Sequence, residues 1–474
     1  MGTFFFHARI WRGEGQFSSA MLVRRGRIAA LGETETLREL AGDCDFIDCG
    51  GRVMIPGFQD VCLCLAAACS PVVPESCRDW IAIRGACLRW LEDHPKTAKK
   101  GLYACVHFGG TLPERGALDA VLPSSPLVLE DVGAGTAVLN TCALERLEQQ
   151  GIPAEDLQWL RRRSDGQLSG VAQGPACRRA AAIVPELSRK ELREQLRRML
   201  QNAAARGVTA LQSCDPGLTL PEKVLPLLER MYQENAAFPR MQCFRWPQEG
   251  RLPDHLRTSG MTRQPTRGGV LLLQQSDRVH FAYSSREMHS LVRQAGREGM
   301  QLWVRGSGRA QLEEVLKEWE RIPGGQENFR RLVLLDVRET DRELLRRLGK
   351  GKLGTVLLPG RAGASAHCPA RTLDALGAHV GVAGLDGCHP FRTLQQMIQL
   401  PPAERLSRER ALEMYTRGNA WLWFREDALG RLVPGYGADV QLLDRDYFTC
   451  PAEEIGSIRP VLVMAAGRVL LREI

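Results

Sequence analysis

Asp60, Cys62 and Cys64 stand two residues apart in the run from Phe58 to Leu65, just after the turn-forming pair Pro56-Gly57. Side chains on a strand alternate with period two. If this run is a strand, all three reactive groups project to one face, and Val61, Leu63 and Leu65 to the other. Two thiolates can bind zinc at about 2.3 Å. A Cys can serve as a nucleophile, and a carboxylate as a general base. Cys214, Asp386, Cys388 and His389 each fall just beyond another apolar run, so strand-end geometry would bring them near the same place. Arg305 and Arg309 flank a further strand end. A guanidinium cannot ligate a cation and repels one, but it holds a carboxylate or phosphate well.

Each of these residues also has a plainer reading. The chain carries 15 cysteines, an odd number spread along its length, and so uses Cys freely as a small apolar residue. Cys62 and Cys64 then simply fill space, and Asp386 is a paired structural carboxylate whose partner is Arg305. His280, His289 and His379 lie within or beside elements and read as packing or surface residues. There is no Gly-x-Ser-x-Gly, P-loop or dinucleotide-binding fingerprint.

The elements that must position these groups are legible from periodicity. Residues 3–55 read as short strands with turns, among them a hairpin over 20–32 turning at Arg25-Gly26. The far end matches, with a strand over 438–444 and a hairpin turning at Ala466-Gly467. Between the ends, helix and strand alternate. Ser188 with Glu191 forms a capping box, with Leu192, Leu196, Met199, Leu200 and Ala203 at helical spacing. Gly207 then stops the helix before a strand over 208–212. Further strands are predicted over 301–304, 332–335, 355–358 and 380–383. Such alternation implies a parallel sheet, and the length suits a (β/α)8 TIM-type barrel. Residues 70–185 break the rhythm and read as an insertion after the first barrel strand. The expected division is a β-sandwich-like domain from 1–57 and 427–474, around a barrel over 58–426.

Bulk properties fit this reading. The 474 residues are 44% hydrophobic and 25% charged, which is ordinary globular composition. The net charge of +8 is scattered, so no nucleic-acid stripe is expected. No apolar run approaches a membrane span, no export signal is evident, and free thiols suit a cytoplasmic setting.

The run from Pro56 to Cys64 resembles the first barrel strand of the amidohydrolase superfamily, Pro-Gly-Phe-x-Asp-x-His-x-His. Pro56, Gly57, Phe58 and Asp60 match, while Cys62 and Cys64 occupy the histidine positions. The likeness is to the amidohydrolase 3 family and extends along most of the chain. It includes Gly26 to Gly32, Leu118-Asp119, Asn140-Thr141, Asp165 to Gly170, and Gly430 to Gly435 with Ala438-Asp439. The resemblance implies a hydrolase of non-peptide C–N bonds that holds one or two divalent ions, usually zinc, at strand-end histidines, with an aspartate activating a bound water. Most of the positions it implies are substituted. Gly133-Ala134-Gly135 replaces an Asp-Gly-His, Gly174 an acid, Arg305 a histidine, and apolar residues over 332–335 a Glu-His pair. The strand over 270–273 lacks the family's lysine, and only Asp386, in Gly384-Leu385-Asp386, keeps its type.

The expectation is therefore a degenerate, metal-free member that binds a small molecule, with a homodimer as one possible assembly. Two alternatives stand beside it. One is an active hydrolase with a rebuilt thiolate-rich zinc site at Cys62, Cys64 and Asp386. The other is a metal-independent enzyme using a Cys nucleophile in the old pocket.

Overall fold

A computed structural model describes residues 2–63, 79–106, 112–131, 135–213, 224–234, 237–243, 269–273, 285–298, 301–305, 309–322, 325, 328, 331–335, 337, 342–350, 353–359, 368–384 and 389–474. Eight parallel strands form its centre. β1 (Phe58–Leu63), β2 (Val208–Ser213) and β3 (Arg240–Cys243) make one sheet, ordered β3-β2-β1. β4 (Gly269–Leu273), β5 (Gln301–Arg305), β6 (Val333–Leu335), β7 (Gly354–Leu357) and β8 (His379–Val382) make a second, in sequential order. Every pairing within the two sheets is parallel, as helical crossovers demand. The expected strands over 208–212, 301–304, 332–335, 355–358 and 380–383 are present, with ends shifted by a residue or so.

The helix Arg189–Ala205 shows how local sequence sets the frame. Ser188 accepts from the Glu191 N–H and Glu191 caps the Ser188 N–H in return. Its apolar stripe, Leu192, Leu196 and Leu200, is fully buried against β1 and β2 residues. Gly207 then takes φ +81° to turn the chain into β2, and its carbonyl accepts from the Phe58 N–H at the foot of β1. Gly57 is required by close approach, since a Cβ there would sit 2.3 Å from the Thr209 side chain on β2.

Strands from both chain ends share a six-stranded sheet, ordered Arg468–Arg472, Pro460–Ala465, Val440–Leu443, Val53–Pro56, Arg9–Gly13 and Gln16–Ser18. A four-stranded sheet of early strands packs on it through Phe5, Met21, Val23 and Ile47, which meet Ile10, Met54, Val440 and Leu462. Asp439, almost fully buried, ties this part to the parallel strands: it pairs with Arg240 at the start of β3, and its carbonyl accepts from the Gly57 N–H. The insertion carries a five-stranded sheet of its own, ordered Leu160–Arg162, Leu168–Gln173, Thr136–Leu139, Leu127–Asp131 and Leu102–Val106. Among the described residues, no helix is long and apolar enough to cross a membrane.

Candidate functional site

The parallel strands have two distinct faces. Phe58, Leu211, Met241, Val304, Leu334, Leu357 and Val382 pack against the helices. Val61, Ala210, Trp303, Val333, Leu335, Val356, Leu358 and Ala383 form a separate cluster between the two sheets, floored by Leu422 and Trp423. Active centres of parallel α/β folds lie at the carboxyl ends of the strands. Here Leu335, Leu358 and Ala383 occupy those ends on the inner face.

Polar residues on that face come from both sheets: Gln301 on β5, two residues before Trp303, is buried and donates to the Leu422 carbonyl at 3.0 Å. Gln59 lies opposite Ala210, and Gln212 lies directly opposite Gln242. Gln59 and Gln212 are each two residues from an inner-cluster member, Val61 and Ala210. Alternation therefore turns Gln59, Gln212 and Gln242 inward. All three are buried. Gln59 donates to the Gly57 carbonyl at 3.1 Å, and its Oε1 has no partner. Among the described residues, Gln212 has no partner at either amide atom, and the Gln242 Oε1 has none. The sequence reading passed over these glutamines, although an amide in the otherwise apolar run from Val208 to Leu211 was the available signal.

Asp60 is fully buried, and its carboxylate accepts a hydrogen bond from the Tyr415 hydroxyl at 2.9 Å. Tyr415 packs edge-on against Phe58, 5.1 Å between ring centroids, on the helix side of β1. The strict alternation expected for this strand is interrupted. Asp60 faces Leu211 but Leu63 faces Ser213, so three steps of β1 match two of β2. A bulge of this kind changes which face later residues take.

A π-helical turn, Met414–Gly418, presents Tyr415 and Asn419 together. Asn419 is fully buried and joins the two sheets. Its Nδ2 donates to the Gln59 carbonyl of β1 at 2.6 Å and to the Val382 carbonyl of β8 at 2.8 Å, and its Oδ1 accepts from the Val382 N–H at 2.9 Å.

The other expected site residues are placed less fully. Cys62 lies within β1, Arg305 closes β5 opposite Leu335, and Arg309 opens the helix Arg309–Arg321; the side chains of these three lie outside the description. Cys64, Cys214, Asp386, Cys388 and His280 lie outside the described residues. His389 precedes the helix Pro390–Ile398, and burial, aided by the nearby Arg206 and Arg392 charges, pushes its pKa down to about 3. It is thus a neutral imidazole at ordinary pH. His289 pairs with Glu314 at 3.1 Å. His379 stacks on Trp421, centroids 3.8 Å apart. Arg331 also lies over Trp421, at 4.3 Å, and pairs with Glu426.

In the insertion, Asn140 accepts from the Leu127 and Ala143 N–H groups and donates to the Leu122 and Ser125 carbonyls. Asp119 accepts from Thr141 twice. These motif residues brace the sheet. The Gly174 N–H donates to the Gly135 carbonyl at 2.9 Å.

Among the described residues, no group of three or more His, Cys, Asp or Glu side chains is arranged to hold a metal ion. The described side chains on the inner face at the strand ends are amides and alkyl groups, and Asp60 is engaged by Tyr415. This described donor set does not fit zinc, which requires three or four thiolate, imidazole or carboxylate ligands. Such a surface can bind and orient a small molecule, but it supplies no described group that would activate water.

A sequence profile of the amidohydrolase family matches residues 45–471. The chain belongs to the amidohydrolase family. It is 23% identical over 523 residues to an N-substituted formamide deformylase from Arthrobacter pascens, covering 95% of this chain and 94% of that protein. It is 22% identical over 548 residues to the putative amidohydrolase YtcJ of Bacillus subtilis (strain 168), covering 97% and 99%. The crystal structure of an uncharacterized metal-dependent hydrolase from Pyrococcus horikoshii OT3 superposes with a TM-score of 0.69 at 17% identity, over 96% of this chain and 99% of that one. The fold is thus of the α/β type found in amidohydrolases.

Proposed function

We propose that this amidohydrolase-family chain is a degenerate member that has lost most of its metal site and acts by binding a small molecule between its parallel strands. The observation that carries this reading is the composition of the inner face: Leu335, Leu358 and Ala383 at the ends of β6, β7 and β8, with Gln212 and Gln242 on β2 and β3. The family chemistry needs a metal to polarise the substrate and acidify water, and this lining offers it no described ligand. On this proposal the eight parallel strands close into one barrel, with Asn419 at the seam, and 1–57 with 427–474 form the accompanying β-domain.

Metal analysis tests the reading. Protein purified from its host without chelators should carry much less than one zinc or iron per chain. Near-stoichiometric zinc, lost when Cys62 and Cys64 are changed to Ser, would overturn it in favour of a rebuilt thiolate site.

A further inference from the structure

Gln212 and Gln242 sit opposite each other on adjacent parallel strands, each one residue short of its strand's carboxyl end. Neighbouring strands run about 4.8 Å apart, so the two amides stand side by side. Gln212 is fully buried and Gln242 is 6% exposed. Among the described residues, both amide atoms of Gln212 and the Oε1 of Gln242 make no hydrogen bond, even to each other. A buried amide without a partner is costly, and native folds retain few of them except where water or a ligand completes them. The inner cluster, including Trp303, Leu335, Val356 and Leu358, is hydrophobic, its buried polar groups being the indole N–H groups of Trp303 and Trp423.

We propose that Gln212 and Gln242 form the polar reading head of a ligand site, and that they select a neutral, planar ligand presenting one N–H donor beside one acceptor. The choice follows from the free atoms: one unpaired N–H₂ and two unpaired carbonyl oxygens in an apolar setting. A carboxylate would set its charge against the amide oxygens, and a cation would meet no carboxylate among the described residues of the inner cluster. The hydrophobic cluster that includes Ala210, two residues before Gln212, suits a flat, uncharged body. The inference rests on the metal-free binding reading proposed above and adds the class of ligand.

The test uses the full chain with three probes of similar size: 2-pyridone, which presents a donor beside an acceptor; benzoate, which presents acceptors only; and benzamidine, a cation with donors only. Binding is read by saturation-transfer NMR and isothermal titration. 2-Pyridone should bind with Kd of about 1 mM, ordinary for so small a ligand, and benzoate at least about tenfold more weakly. Gln212→Met and Gln242→Met should each weaken 2-pyridone by about tenfold, the loss of one hydrogen bond to a buried group. Gln212→Glu should reverse the preference toward benzamidine, which a merely structural glutamine would not do. It also serves should the Met variants fail to fold. Wild-type protein that is metal-poor but ignores 2-pyridone, or variants that bind it unchanged, would overturn this inference while leaving the metal-free reading intact. Stoichiometric zinc would overturn that reading instead.

Discussion

Asn419→Ala tests how the two parallel sheets are held together. The side chain is fully buried and makes three hydrogen bonds, two to Val382 on β8 and one to Gln59 on β1. Truncation leaves the Val382 N–H without its acceptor and removes one donor from each of the Gln59 and Val382 carbonyls. A buried donor stripped of its partner costs about 1–3 kcal/mol, and each lost neutral bond about 1 kcal/mol net. The contacts together amount to about 3–5 kcal/mol. Gly381 permits this close approach, because a Cβ there would lie 2.3 Å from the Asn419 Oδ1. Urea unfolding at pH 7 would measure the loss, and hydrogen exchange would show faster exchange at Val382. Asn419→Asp gives a second arm. A carboxylate in that position faces two carbonyl oxygens, so burial and repulsion raise its folded pKa above the unfolded value. Its stability is then highest below the unfolded pKa and falls as pH rises, making the defect smaller at pH 4 than at pH 7. A loss below about 1 kcal/mol for Asn419→Ala, or a pH-independent defect for Asn419→Asp, would refute the view that this side chain staples the seam.

Tyr415→Phe keeps the packing on Phe58 but removes a donor from the buried Asp60, and should cost about 1.5–3 kcal/mol by chemical denaturation. His389, with its folded pKa lowered to about 3, stays neutral while the unfolded chain protonates near pH 6.5. Its contribution is therefore present above pH 6.5 and lost as pH falls toward 3, and His389→Gln should flatten that part of a stability–pH profile. For Arg305 and Asp386 we propose an ion pair that stands in for the family's metal. Arg305→Met alone should then destabilise the protein more than Arg305→Met combined with Asp386→Leu, and additive effects would exclude the pair.

The sequence by itself determined the order of elements, because that information is local. The capping box at Ser188, the helical spacing of Leu192, Leu196 and Leu200, and the turns at Arg25-Gly26 and Ala466-Gly467 depend only on near neighbours. Membership of the amidohydrolase family was equally legible, as a matter of residue identity. What only the tertiary structure decided is which face each side chain takes and whom it meets. The register slip between Asp60 and Leu63 ended the alternation that a regular strand would keep, and it arises from pairing with a strand about 150 residues away in the chain. Tyr415 meets Asp60 across 355 positions, and Asn419 meets Gln59 across 360. The glutamine pair shows the same limit. Gln212 and Gln242 are unremarked polar residues in the sequence, and only the parallel register sets them side by side between two sheets, where an unpaired amide is costly.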